Sequence, residues 1–281
     1  MIYKKMWLSM IVVDFHVHVA KFDMWTPWVH EYMKKVNPLV YESFNKIMTP
    51  NGVIELMDKE GVDSAVVLAE MAPLTTGVVK NEFIAEFCSE SERLIPFASI
   101  NPVTDLHPQK TLAKLVTDLG MKGLKLLPPY QHFYPNDHKF YALYAKAQEL
   151  KIPVVFHTGS SVFKNARLKF GNPLYLDDLA VDFPDLTIVQ AHGGRPFWYD
   201  IAFFLAKRHR NVHIDISGLP PKNLLKYFPE LEEIRDKVIF GSDWPGVPSV
   251  KVNVDAIQRL PLRTETKRKI LGENALKLLK T

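Results

Sequence analysis

Five residues of this sequence end apolar runs and carry side chains able to hold a metal ion or move a proton. His16 and His18 stand two apart in DFHVHV, at 14 to 19, so a strand carries both imidazoles on one side, where they can chelate one ion. The plainer alternative is a pair of half-buried polar strand residues hydrogen-bonded to neighbouring backbone. His157 ends PVVFH, His192 ends IVQAH and Asp243 ends VIFGSD; five such coincidences favour the chemical reading. Three or four neutral imidazoles with one carboxylate suit zinc, iron or another borderline divalent ion. A thiolate cage is excluded, because Cys88 is the single cysteine.

Distant parts of the chain must meet for these side chains to act together, and the pattern between them says how. Short β-branched or aliphatic runs occupy 10–17, 63–70, 93–100, 121–128, 152–158, 186–192, 212–217 and 237–243. Amphipathic stretches separate them, an alternation that predicts a parallel sheet with helices packed outside. Two helix candidates, NGVIELMDKEG and TDLHPQKTLAKLVTDLG, end at Gly61 and Gly120, where a left-handed cap belongs. Eight such units in 281 residues predict an α/β fold, the (β/α)8 TIM barrel, in which the C-terminal ends of different strands converge on one mouth. A dinucleotide fold has little support, since no Gly-x-Gly-x-x-Gly follows the first run.

Two connections exceed ordinary length: Lys21 to Met48 after the first strand, and Pro128 to Asn136 after the fourth. Both fall on the mouth of the barrel, where long loops act as lids or binding walls. The chain closes with helical segments at 263–271 and 272–280, read as the last barrel helix and a C-terminal extension. With no linker in view, residues 1–281 read as one domain.

Composition narrows the function classes. Hydrophobic residues make up 47% and charged residues 23%, an ordinary globular balance. The net charge of +4 is thin and gathers into no basic tail, so no nucleic-acid partner is expected. A lone cysteine fits a reducing compartment, and the cytoplasm is the expected location. Lys4 and Lys5 precede an apolar run as in a signal peptide, but the run passes straight into Asp14, which favours a first strand. No window is long and apolar enough to predict a membrane helix.

Taken together, DFHVHV at 14–19, KGLKLLPPYQHFYPND at 122–137, VVFHTG at 154–159, AHGG at 191–194, GSDWP at 241–245 and ILGENALKLL at 270–279 make the chain resemble the amidohydrolase superfamily. The resemblance spans nearly the whole chain. It is to the amidohydrolase-related branch of single-metal hydrolases and decarboxylases, which includes the aminocarboxymuconate semialdehyde decarboxylases. It implies that His16, His18, His157 and Asp243 hold one divalent metal, most often zinc, with iron or manganese as alternatives. His192 then stands beside the water that the metal activates, and His192 with Asp243 does the acid/base work.

Other residues take supporting parts. Lys125, at the end of the fourth strand, is read as a substrate-carboxylate or hydrogen-bonding group; a carboxylated lysine bridging two metals is the superfamily alternative. Lys122 differs in parity and should face outward. Arg195, after AHGG, is a natural carboxylate anchor or else a helix-capping or ion-pairing residue. Trp25 and Trp28, then Tyr130, His132 and Tyr134, then Trp244, either wall a pocket for a planar substrate or pack on one another. Asp215 or Ser217 could support an imidazole ligand. His30, His107, His138 and His209 read as surface residues, and Cys88 as a small core filler.

The leading expectation is therefore a metal-dependent hydrolase opening an amide, ester or lactone of a small, carboxylate-bearing molecule. The second is a metal-dependent non-oxidative decarboxylase of an aromatic or muconate-like acid. A two-metal deoxyribonuclease is disfavoured, because KGLKLLP stands where its bridging Glu is expected and no Lys/Arg cluster marks a DNA path. A barrel retained only as a binding scaffold is the non-enzymatic reading, and a homodimer is possible.

Overall fold

A computed structural model describes residues 10–280 of the chain. Its strands form where aliphatic runs are buried on both faces, the signature of a parallel sheet under helices. They are β1 (Val13–His18), β2 (Ser64–Leu68), β3 (Glu70–Ala72), β4 (Gly77–Val79), β5 (Leu94–Ser99), β6 (Leu124–Leu126), β7 (Val154–His157), β8 (Ile188–Ala191), β9 (Val212–Asp215) and β10 (Val238–Ile239). Eight of them form one sheet in the order β1-β2-β5-β6-β7-β8-β9-β10, and every neighbouring pair is parallel. The ends of that sheet meet: Phe15 N–H donates to the Phe240 carbonyl at 3.0 Å, Asp243 N–H to His16 at 3.0 Å, and His18 N–H to Trp244 at 2.8 Å. This is the (β/α)8 barrel, and each of the eight aliphatic runs supplies one of its strands.

Alternation along the strands divides two packing layers. Val13, Phe15, Val66, Leu68, Phe97, Val155, Val189 and Ile239 fill the barrel, while Ala65, Val67, Val154, Ile188 and Val212 face the surrounding helices. Helices Pro50–Glu60 and Pro108–Leu119 end at Gly61 and Gly120, both in left-handed conformation, at φ 74° and 67°. No helix among the described residues is long and apolar enough to cross a membrane. Lys4 and Lys5 lie outside the described residues.

Four expectations need correction. The stretch from Lys21 to Met48 is a helical insert rather than a loop, with helices Pro27–Val36, Pro38–Glu42 and Phe44–Ile47. Proline opens the first two, as suits a helix start, and Val29, Met33, Val40 and Phe44 are buried at helical spacing. The second long connection begins with a short helix, Pro128–Gln131. The last barrel helix is Val250–Arg259, not 263–271; the chain then runs beneath the barrel, where Ala275 and Leu278 close the interior from below. The unforeseen β3–β4 hairpin follows β2 directly. His30, read as a surface residue, is buried and stacks on Phe22 with ring centroids 4.0 Å apart.

Candidate active site

The placement of His16 begins with an irregularity in β1. Asp14 pairs with Ala65 and Val17 with Val67, so Phe15 and His16 together oppose one residue of β2, which is a β-bulge. Val13 and Phe15 face the interior; strict alternation would send His16 outward with Asp14. The extra residue re-aims His16, and His18 after it, into the mouth. A bulge leaves backbone groups unpaired, and here the buried Asp14 carboxylate answers: its Oδ1 accepts from His16 N–H at 3.3 Å and Ser242 N–H at 2.8 Å. One carboxylate thus ties the bulged strand to the segment that carries Asp243. On that segment Gly241 leaves room that a Cβ would deny, since the atom would overlap the Asp215 carboxylate and crowd His16.

The mouth gathers the remaining polar residues. His16 Nε2 lies 3.7 Å and His18 Nε2 3.5 Å from Asp243 Oδ1, and one ligand atom from each of the three lies within 4.8 Å of the others. On its far side His16 Nδ1 donates to Asp215 Oδ2 at 2.5 Å; Ser217 Oγ donates to the same oxygen at 2.8 Å. His192 Nδ1 donates to the Ser217 carbonyl at 2.9 Å. Both rings therefore turn an unprotonated Nε2 to the cavity. Asp215 and Ser217 both contact the imidazoles from behind, where such support was expected. His157 is outside the three-residue group: its ring lies 4.5 Å from that of His192, but its Nε2 faces the Ser160 carbonyl at 3.3 Å.

Burial decides the charge states. It holds His16 down to about 4, helped by Lys125, and keeps His157 and His192 well below the usual imidazole range, helped by Lys125 and Arg195 respectively. Neutral imidazoles are the form that binds metals and accepts protons. Burial works against ionising Asp243, yet His192, His18, His16 and Arg195 outweigh it and hold the carboxyl well below its usual range. Lys125 is buried while Lys122 is exposed; burial lowers Lys125 to about 8, and its Nζ stands 3.2 Å from His16 Nε2. His192 and Asp243 also share left-handed backbone, at φ 66° and 68°, a conformation that costs such residues roughly 1–2 kcal/mol each. Strain of this kind concentrates where a site dictates geometry.

Around this cluster lies a cavity of about 290 Å³, near the lower end for small-molecule sites. The helical insert contributes Trp25, Val29, Tyr32 and Met33, and the far wall Leu127, Tyr130 and Phe163. Burial pushes the Tyr130 phenol up, so it remains a neutral hydroxyl. Arg195 reaches over the mouth, donating to the Gly218 carbonyl at 2.8 Å and standing 3.6 Å from Asp243 Oδ2; a side chain at Gly218 would collide with this guanidinium.

Several expected wall residues are elsewhere. Trp244 is buried on the outer side of the barrel with Val53, Met57 and Val250, because the chain turns at Asp243 and sends the next side chain out. Trp28 donates its indole N–H to the Thr75 carbonyl, His132 contacts the Asn165 carbonyl at 2.7 Å, and Tyr134 packs on Phe170 and Tyr175. Glu70 was missed: it is buried, lines the cavity, and its Oε2 lies 3.8 Å from His18 Nδ1.

Fold and site define a (β/α)8 barrel with imidazoles and a carboxylate gathered at the C-terminal ends of its strands. The chain belongs to the amidohydrolase family, whose model matches residues 13–281. No curated protein matches the sequence. An uncharacterized TIM-barrel protein from Bordetella bronchiseptica is similar, with 23% identity and a TM-score of 0.78 over 96% of this chain and 98% of that one. So is 5-carboxyvanillate decarboxylase from Sphingomonas paucimobilis, with 16% identity and a TM-score of 0.70 over 97% and 99%. A dihydroxybenzoic acid decarboxylase from Polaromonas sp. JS666, solved with manganese and the inhibitor 2-nitroresorcinol, gives 17% and 0.70 over 96% and 97%.

Proposed function

We propose that this protein is a metal-dependent non-oxidative decarboxylase of a small hydroxylated aromatic acid, which puts the second expectation ahead of hydrolysis. The observation that carries the reading is one cavity with two kinds of lining: Arg195 and the His/Asp cluster, and the apolar and aromatic side chains of Trp25, Leu127, Tyr130 and Phe163. A planar ring suits the apolar wall, and a carboxylate suits the guanidinium. The decarboxylase neighbours, similar in fold, act on molecules of that shape.

The donor set fits a divalent ion, because the Nε2 atoms of His16 and His18 converge on Asp243 Oδ1 while Asp215 occupies the other nitrogen of His16. His16, His18 and Asp243 would hold it, with His157 as fourth donor; manganese and zinc both suit such ligands. Bound there, the ion supplies a Lewis acid for a substrate oxygen.

The chain's residues supply the proton transfers. At neutral pH His192 is neutral and Asp243 ionised, so the proton enters with the substrate: a phenolic O–H gives it to the His192–Asp243 pair. The pair returns it to the ring carbon bearing the carboxylate, which becomes tetrahedral, with four single bonds, as the ring loses its aromaticity. The bond to the carboxylate breaks, CO2 leaves, and its electron pair restores the aromatic ring. The phenolate takes a proton from solvent, so each turnover consumes one proton. Arg195 holds the acid in place, Tyr130 offers a neutral hydroxyl, and the apolar wall excludes water.

The test is to assay manganese- and zinc-loaded protein in D2O against hydroxybenzoates and muconate-like acids, with amides, esters and lactones in parallel. CO2 release with one deuterium at the ring carbon that lost it supports the proposal. Opening of an amide, ester or lactone with no CO2 from any acid returns the chain to the hydrolases.

A further inference from the structure

Glu70 ends the second aliphatic run and opens the β3–β4 hairpin. It is buried, and its Oε1 accepts a hydrogen bond from the Thr76 hydroxyl. Thr76 is held in turn, because Thr26 N–H of the helical insert donates to its carbonyl at 3.0 Å. The second carboxylate oxygen, Oε2, lies 3.8 Å from His18 Nδ1.

His16 shows what such a placement does. Its Nε2 points at Asp243 Oδ1, 3.7 Å away, and its Nδ1 hydrogen-bonds Asp215. His18 repeats the pattern, with Nε2 3.5 Å from the same Asp243 oxygen and Nδ1 turned to Glu70. A neutral imidazole carries its proton on one nitrogen, and an acceptor beside Nδ1 holds the proton there, leaving the Nε2 lone pair free. At 3.8 Å the His18 contact is longer than a hydrogen bond, so Glu70 faces this nitrogen as an anionic acceptor without bonding it directly.

We infer that Glu70 is a positioning residue for His18, fixing its Nδ1–H tautomer and aiming Nε2 into the mouth, as Asp215 does for His16. The inference rests on the metal reading above, but its first consequence concerns the metal-free protein. Because Thr76 and Thr26 hold Glu70 in place, it also links the aim of a ligand to the seating of the helical insert.

Two measurements test it. In metal-free protein labelled with 15N-histidine, long-range 1H–15N spectra report the tautomer of His18, whose signals are assigned by their loss in His18→Gln. Wild type should show Nδ1–H at neutral pH; Glu70→Gln, similar in shape but able to donate to Nδ1, should shift His18 toward Nε2–H. In the second, Mn2+ titrations followed by electron paramagnetic resonance should show affinity falling about 10–100-fold in Glu70→Gln. Thr76→Val, which keeps the carboxylate but frees it, should give a smaller loss and covers the case in which Glu70→Gln does not fold. An Nε2–H tautomer in wild type, or unchanged tautomer and affinity in Glu70→Gln, overturns the inference. Wild type that binds no Mn2+ overturns the metal reading, while the tautomer result still decides the role of Glu70.

Discussion

Arg195 and Asp243 stand 3.6 Å apart, yet their removal should have different signatures. On the proposed mechanism, Arg195→Ala strips the cation assigned to the substrate carboxylate in ground and transition states alike. KM should rise about 10–100-fold with little change in kcat, and Arg195→Lys should recover only part, since an ammonium lacks the paired donors. Steady-state kinetics on the acid identified by CO2 release checks both. Asp243→Asn keeps the volume but neither carries a proton nor holds an ion as well. Its kcat should fall about 10²–10⁴-fold together with metal content by mass spectrometry; full metal with unchanged kcat would move the proton transfer elsewhere. The five residues ending aliphatic runs were legible because a barrel sends strand ends to one place. Glu70 ends such a run too, in AVVLAE, but a single carboxylate carries no spacing signal like His-x-His. The Trp244 reading used sequence adjacency to Asp243, and adjacency says nothing about side once the backbone turns left-handed.

At the scale of elements, the bulge in β1 shows how a period-two reading can reach a correct pair by an incomplete route. His16 and His18 do share a side, but the first half of the strand has the opposite parity, and only the cross-strand register reveals the change. Asp14→Ala should leave the His16 and Ser242 N–H groups without acceptors, costing about 1–3 kcal/mol for each group left buried, read as a lower urea midpoint. Asp14→Asn keeps an acceptor oxygen and removes the charge. Burial raises Asp14 from 3.8 to about 7, so the folded state binds the extra proton between those values. Its stabilising contribution is complete below 3.8 and is lost as pH rises through 7. Metal-free Asp14→Asn should therefore gain most over wild type at pH 8, with the advantage shrinking toward pH 4. His16 acts in the opposite sense: with its pKa lowered from 6.5 to about 4, its contribution is present above 6.5 and lost as pH falls toward 4. The helical insert was illegible for another reason: its helices are short, and the prolines that open the first two read as loop punctuation.

At the scale of the whole molecule, metal binding as proposed would be tied to stability, since the group of His16, His18 and Asp243 draws on both ends of the sheet and exists only in the closed barrel. Mn2+ at about 100 times its Kd should add roughly 2.7 kcal/mol to unfolding, raising Tm by several degrees in wild type and not at all in His16→Ala/His18→Ala. An equal rise in both proteins would place the ion elsewhere. The αβ alternation was legible at this scale, because eight aliphatic runs leave few other architectures. The roof of the cavity was not, for it depends on contacts between parts far apart in sequence. The insert is pinned on one flank to the hairpin, through Thr26 N–H on the Thr76 carbonyl, and on the other by Asn37, whose Nδ2 donates to the Val247 carbonyl at 2.8 Å. If traffic through the mouth requires this roof to lift, the Thr26 amide is its clock: its exchange with deuterated solvent should go only as fast as the roof opens, and a ligand seated beneath it should slow that exchange.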